Sequence, residues 1–299
     1  MFLPLPHLPV HCKDMHLPSL LFLLLPFSAA AQGPLDGYMK GRGHLDLAPS
    51  FSFNSAQDFA GASGQRYANT YRGNMLGLFA TYGLTERFDL VGTAAYVFTK
   101  QRSGWQDGGF FVKYRPMYAN IGAAGKLGLI VGTGVSFPIG DYQPTATGAL
   151  GQRAVAVPAR LIVQWETPVG LFVNVTGGYH WRLDELRAED VAAVRRVRAD
   201  YQPVKPPPFS TALLKIGFPS RHYYLDAWLE WQHTAGGADY VPGVVDLPQA
   251  YGVSYTQVGG TAYYSEDTRV GVYLSTAYIL GGRNTSRLFR LTVGLVGKF

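Results

Sequence analysis

From about Gly43 to Phe299 one pattern recurs: a run of ten to fifteen residues in which apolar side chains alternate with small or polar ones, then a break, then another run. Side chains on an extended strand point to opposite faces with a period of two, so each run reads as a strand with two unlike faces. Twelve runs lie near 43–54, 72–82, 88–99, 109–119, 126–138, 153–166, 171–183, 209–218, 222–234, 250–264, 269–280 and 287–299. An average soluble strand has about 5–6 residues, whereas a tilted strand crossing a bilayer needs about 9–11. The breaks also alternate. Short ones at 84–87, 120–125, 167–170, 219–221 and 265–268 are interleaved with mostly longer ones at 55–71, 100–108, 139–152, 184–208, 235–249 and 281–286. Turns on one rim and loops on the other are the arrangement of an outer-membrane barrel. The expectation is an all-β, twelve-stranded antiparallel transmembrane β-barrel of up-and-down topology over residues 43–299, with no domain boundary inside it.

The faces can be assigned. Leu127, Leu129, Val131, Val135 and Phe137 oppose Gly128, Gly132, Gly134 and Ser136; Phe289, Leu291, Val293 and Leu295 oppose Arg290, Thr292 and Lys298. The apolar set is expected to meet lipid, with aromatic girdles at Tyr82, Tyr96, Tyr118, Trp165, Trp181, Trp231 and Tyr278. A soluble β-sandwich would share the period, but its polar face should be rich in lysine and glutamate. Here that face is mostly glycine, serine, alanine and threonine. Only 15% of the residues are charged, against about 25% in soluble domains.

The N-terminus reads as an export signal over residues 1–31, with an alternative start at Met15. Lys13 precedes the apolar centre Leu20–Leu25, and Ala29-Ala30-Ala31 supplies small residues for cleavage. Residues 32–42 form a short periplasmic lead, too brief for a separate hatch domain. The single cysteine, Cys12, lies in the signal, so no disulfide, thiol nucleophile or cysteine metal site is expected afterwards. No later stretch approaches the ~18 apolar residues of a membrane-spanning helix.

Tyr82–Leu90 (YGLTERFDL), Lys113-Tyr114-Arg115, Ser136–Asp141 and Gly178-Tyr179 together resemble an exported barrel family labelled meta-pathway of phenol degradation. The resemblance covers about residues 72–182 and implies an outer-membrane, transporter-like barrel. One departure is Asp107-Gly108-Gly109, where the family has Gly-Asp. The C-terminal strand, with Thr292, Gly294 and the terminal Phe299, resembles the signal read by the barrel assembly machinery, an expected partner besides outer-membrane lipid.

Catalytic, metal and cofactor sites are not expected. His44, His180, His222 and His233 lack metal-ligand spacing, Gly125-Lys126 lacks the rest of a phosphate loop, and no Gly-x-Ser-x-Gly elbow occurs. The formal charge of +6 is scattered, so nucleic acid is not an expected partner. Parity instead points inward for Lys113, Arg115, Arg160, Arg182, Lys215, Arg290 and Lys298, with Asp46, Glu166, Asp226 and Glu230; His180 shares that inner face. Charges there need water or partners. The lumen-lining candidates are therefore Lys113, Arg115, Arg160, His180, Arg182, Lys215, Asp226, Glu230 and Arg290. In the 184–208 loop, Leu186, Val191, Val194 and Val197 recur at helical spacing, as in a short amphipathic helix that could act as a lid. The function expected is passive passage of small solutes, hydrophobic or aromatic ones among them, across a bacterial outer membrane. The alternatives are a plugged structural, adhesive or sensing barrel, and a barrel-embedded hydrolase.

Overall fold

The computed structural model describes residues 36–62, 65–100, 103–140, 153–196, 198–203, 205–240, 247–266 and 269–299. The expected signal at 1–31, residues 141–152 of the fifth-strand loop, and Val197 lie outside the described residues. The strands are β1 (Leu45–Ala60), β2 (Arg66–Thr85), β3 (Phe88–Thr99), β4 (Ser103–Trp105), β5 (Asp107–Asn120), β6 (Lys126–Pro138), β7 (Ala156–Glu166), β8 (Phe172–Arg182), β9 (Phe209–Pro219), β10 (Tyr223–Thr234), β11 (Ser254–Tyr264), β12 (Val270–Arg283) and β13 (Thr285–Lys298); α1 is Ala188–Arg195. Twelve close into an antiparallel barrel, each paired with its neighbour in sequence, while β1 joins β13. The three-residue β4 is added beside the outer end of β3.

The faces follow the alternation. Phe51, Phe53, Leu76, Leu78, Leu161, Val163, Leu214, Ile216, Val293 and Leu295 are exposed on the outside, whereas Ile130, Ile162, Phe172, Tyr224 and Val296 are buried within. Leu129→Arg puts a charge on the lipid face and is expected to cost about 2–4 kcal/mol near mid-membrane. The next residue, Ile130, points inward as parity requires. It nevertheless packs in a dry cluster with Met39, Val91, Phe111 and Ile162, so arginine there is not the mild change that a watery lumen would allow. Ile130→Arg should destabilise at least as much as Leu129→Arg in denaturant unfolding. A neutral Ile130→Arg would show that the cluster is not packed.

The loops depart from expectation in three places. The first hairpin extends beyond the presumed strand ends, leaving only 61–65 as the loop, because residues 55–60 continue the pairing up to Ala60–Arg66. The 281–286 loop shrinks to Asn284, whose φ of 53° lies in the left-handed region that asparagine tolerates. The third departure is at the inner end of β5, where the register with β6 slips by one residue between Tyr114 and Met117, around Pro116. Proline has no N–H to donate to a ladder and is accommodated at such irregularities. The slip moves Tyr118 off the outer face: its hydroxyl bonds Glu166 at 3.0 Å, so it is no girdle residue.

On the loop side, α1 forms within 184–208 as its spacing predicts, though shorter. Its Val191 and Val194, with Leu186 and Tyr201, bury against Leu247 and Ala250 of the 235–253 loop. Asn284 ties that loop to the barrel: its side-chain amide donates to the carbonyls of Ala238 and Gly252 and to Asp239, and its oxygen accepts from the Tyr240 N–H. Arg283 adds a bond to Asp239 at 2.6 Å. That bond, with the one from Asn284, outweighs slight burial and holds the Asp239 carboxyl below the usual carboxylate range. The apolar stripe of α1 therefore joins two loops into one cap.

Candidate functional site: the barrel interior

The lead enters the barrel. Asp36, Tyr38 and Met39 are all buried, and each reaches a different part of the wall. Lys113 Nζ donates to Asp36 Oδ1 at 2.6 Å and to the Tyr38 carbonyl at 2.5 Å, and pairs with Asp89 Oδ2 at 3.2 Å. The Lys40 N–H bonds the same Asp89 carboxylate, and its ammonium pairs with Asp46 at 2.5 Å. Tyr38 packs with Ala48, Phe172, Tyr224, Tyr263 and Val296, its ring edge-on to Phe172 at 5.6 Å. Met39 is the lead's member of the cluster around Ile130. Gly37 passes so close to the wall that a Cβ there would lie 1.8 Å from Gln164 Oε1. A lead of this length cannot form a domain, yet it fills the periplasmic half of the lumen. Below it, Tyr38, Met39, Arg115, Tyr118, Glu166 and Phe172 border a cavity of about 440 Å³ at the periplasmic mouth.

Further polar groups of this half are paired as well. Lys215 pairs with Asp226 at 3.1 Å, and Asp226 accepts from the Tyr224 hydroxyl at 2.7 Å. Gln164, Asn174, Thr176 and Glu166 form a hydrogen-bonded chain beside Gly37. The small-residue inner face provides room for inward rings: a Cβ on Gly259 would collide with Trp228, and one on Gly294 with Tyr273.

The outer half is different. Arg160, His180, Arg182, Glu230 and Arg290 all point inward there. Arg290 Nε donates to Asn54 Oδ1 at 2.8 Å. His180 stacks on Phe209 with centroids 4.2 Å apart, and the Arg182 guanidinium lies 5.1 Å from the same ring. Lys298 lies over Tyr263 at the periplasmic end.

The nine candidates thus fall into three groups. Lys113, Lys215 and Asp226 belong to the closed inner half. Arg160, His180, Arg182, Glu230 and Arg290 share the outer half. Arg115 stands on the periplasmic rim, where it bonds the Glu86 carbonyl and lies over Tyr118. Parity reasoning missed Asp89, although it lies on the same face of β3 as Val91 and Val97. It also missed the whole lead, for which no periodicity exists.

This geometry defines a closed barrel, apolar outside and polar inside, of the outer-membrane type. No family model matches the sequence, and no curated protein matches it. Among solved structures, the chain is similar to an outer-membrane channel from Pseudomonas putida F1, with a TM-score of 0.66 and 16% identity over 91% of this chain and 100% of that one. It is also similar to the NanC porin, with a TM-score of 0.53 and 9% identity over 85% of this chain and 100% of that one. At such identities the likeness concerns the fold.

Proposed function

We propose that the chain is a bacterial outer-membrane channel for passive passage of small solutes, hydrophobic or aromatic ones among them. The observation that carries this reading is the outer half of the lumen, lined by Arg160, His180, Arg182, Glu230 and Arg290 inside an apolar outer wall. The resemblance to the barrel family of phenol degradation, and the channel and porin named among similar structures, support it. Three arginines face one glutamate there, so a salt gradient should give a reversal potential on the anion side. Raising the salt should reduce it, because screening shortens from about 10 Å at 0.1 M to about 3 Å at 1 M. Arg182→Ser should move the potential toward cations, and Arg115→Ser, on the rim, should move it less. Complete absence of unitary current in planar bilayers, with and without the lead, would overturn the channel.

A second reading, a plugged barrel with a structural, adhesive or sensing role, is favoured by one observation: the lead packed in the inner half. It requires the barrel to stay closed under every condition that leaves it folded.

A further inference from the structure

We propose that Arg160, His180 and Arg182 form a binding station for the carboxylate of a small aromatic acid in the outer half of the lumen; this rests on the channel reading and names a solute class for it. The ladder between β7 and β8 pairs Pro158 with His180, Arg160 with Gly178 and Ala156 with Arg182. The three side chains therefore share one inward face, with His180 between the two guanidinium groups. Gly178, opposite Arg160, leaves open the space into which the arginine stem folds: a Cβ there would lie 3.0 Å from Arg160 Cγ.

Two observations point to a ligand. The first is that Arg160 Nε and His180 Nε2 are closed off from the surface and have no hydrogen-bond partner among the described residues. Leaving such a buried group unpaired costs about 1–3 kcal/mol. In the inner half, Lys113, Lys215 and Lys40 each hold a carboxylate within 3.2 Å. Glu230 lies within electrostatic reach of Arg160, but the two are not among the ion pairs of the described residues. The second observation is the floor. Phe209 holds the His180 ring in a parallel stack and lies under the Arg182 guanidinium, so a flat apolar surface borders the two cations. A planar carboxylate matches the fork of an arginine, and an imidazole with its proton on Nε2 adds a third donor. The ring of an aromatic acid extends that stack. An anion without an apolar body uses only the charges, and a neutral ring uses only the floor.

Calorimetric titration of the full refolded barrel at low salt tests this with benzoate, benzamide and acetate. Benzoate should bind at least tenfold more tightly than either of the others. Arg160→Gln and His180→Gln should each weaken benzoate about tenfold, and Lys298→Gln, a lumen base away from the station, should leave it unchanged. The mobility of unboiled protein on a gel confirms that each variant is folded. Equal binding of benzoate and benzamide, equal binding of benzoate and acetate, or undiminished binding by folded Arg160→Gln would overturn the station. Unitary currents without benzoate binding would remove the station and leave the channel. Benzoate binding by a barrel that never conducts would remove the channel and leave the station.

Discussion

Replacing Lys113 with alanine is expected to destabilise the barrel by about 3–5 kcal/mol, the cost of breaking a buried pair from one side. Lys113 is 1% exposed and is the cation paired with both Asp36 and Asp89; the Tyr38 carbonyl also accepts from it. Its loss leaves the Asp89 carboxylate on a rigid strand with, among the described residues, the Lys40 N–H as its remaining hydrogen-bond partner. Asp36 belongs to the lead and can leave, so the variant should also loosen residues 36–40. Denaturant unfolding in lipid or detergent measures the loss. Pairing Lys113→Met with Asp89→Asn should recover part of it, because both charges then disappear together. A loss under about 1 kcal/mol would mean that water, rather than the protein, solvates these groups.

The second large effect is on current. Deleting residues 32–40 removes Tyr38 and Met39 from two clusters that close the inner half of the lumen. Single-channel conductance of the refolded barrel should rise severalfold, while the strands, which do not include the lead, remain paired. Lys113→Ala should move conductance the same way by a smaller amount. Unchanged conductance would mean that the constriction lies in the outer half or in the cap. Silence before and after deletion, from a barrel still folded by gel mobility, favours the plugged reading.

The strands were legible because a period of two is a local property that each segment states without reference to its neighbours. Leu129 and Ile130, or Arg160 and Leu161, reveal their faces within a few residues. Parity fails where the backbone inserts an extra residue, since every position beyond it changes face. At Pro116 that inversion carried Tyr118 inward and left Arg115 on the rim. The Asp36–Lys113 contact joins residues 77 apart across an interior that no periodicity describes. The cap was half legible: the spacing of Val191 and Val194 announced an apolar stripe but not that Leu247 and Ala250 would cover it. The glycines were read as small lining residues, and they turn out to be beds for Trp228 and Tyr273.

The seam between β1 and β13 makes the sheet a ring in a literal sense. Leu45 and Phe299 exchange both backbone bonds, at 2.9 and 2.8 Å. Further up, Ser52 meets Thr292, Asn54 meets Arg290, and Asp58 is gripped by Arg287, across 229 to 240 residues of chain. A ring of hairpins has no intrinsic first strand, so the place where the chain is cut is arbitrary as far as the sheet is concerned. Only the lead marks the origin, because it hangs from β1 and is anchored to β3 and β5. In a permuted barrel opened at a periplasmic turn, the lead would become a bridge from β13 to β1 tethered at both ends, and a segment held at both ends cannot be drawn out of the lumen.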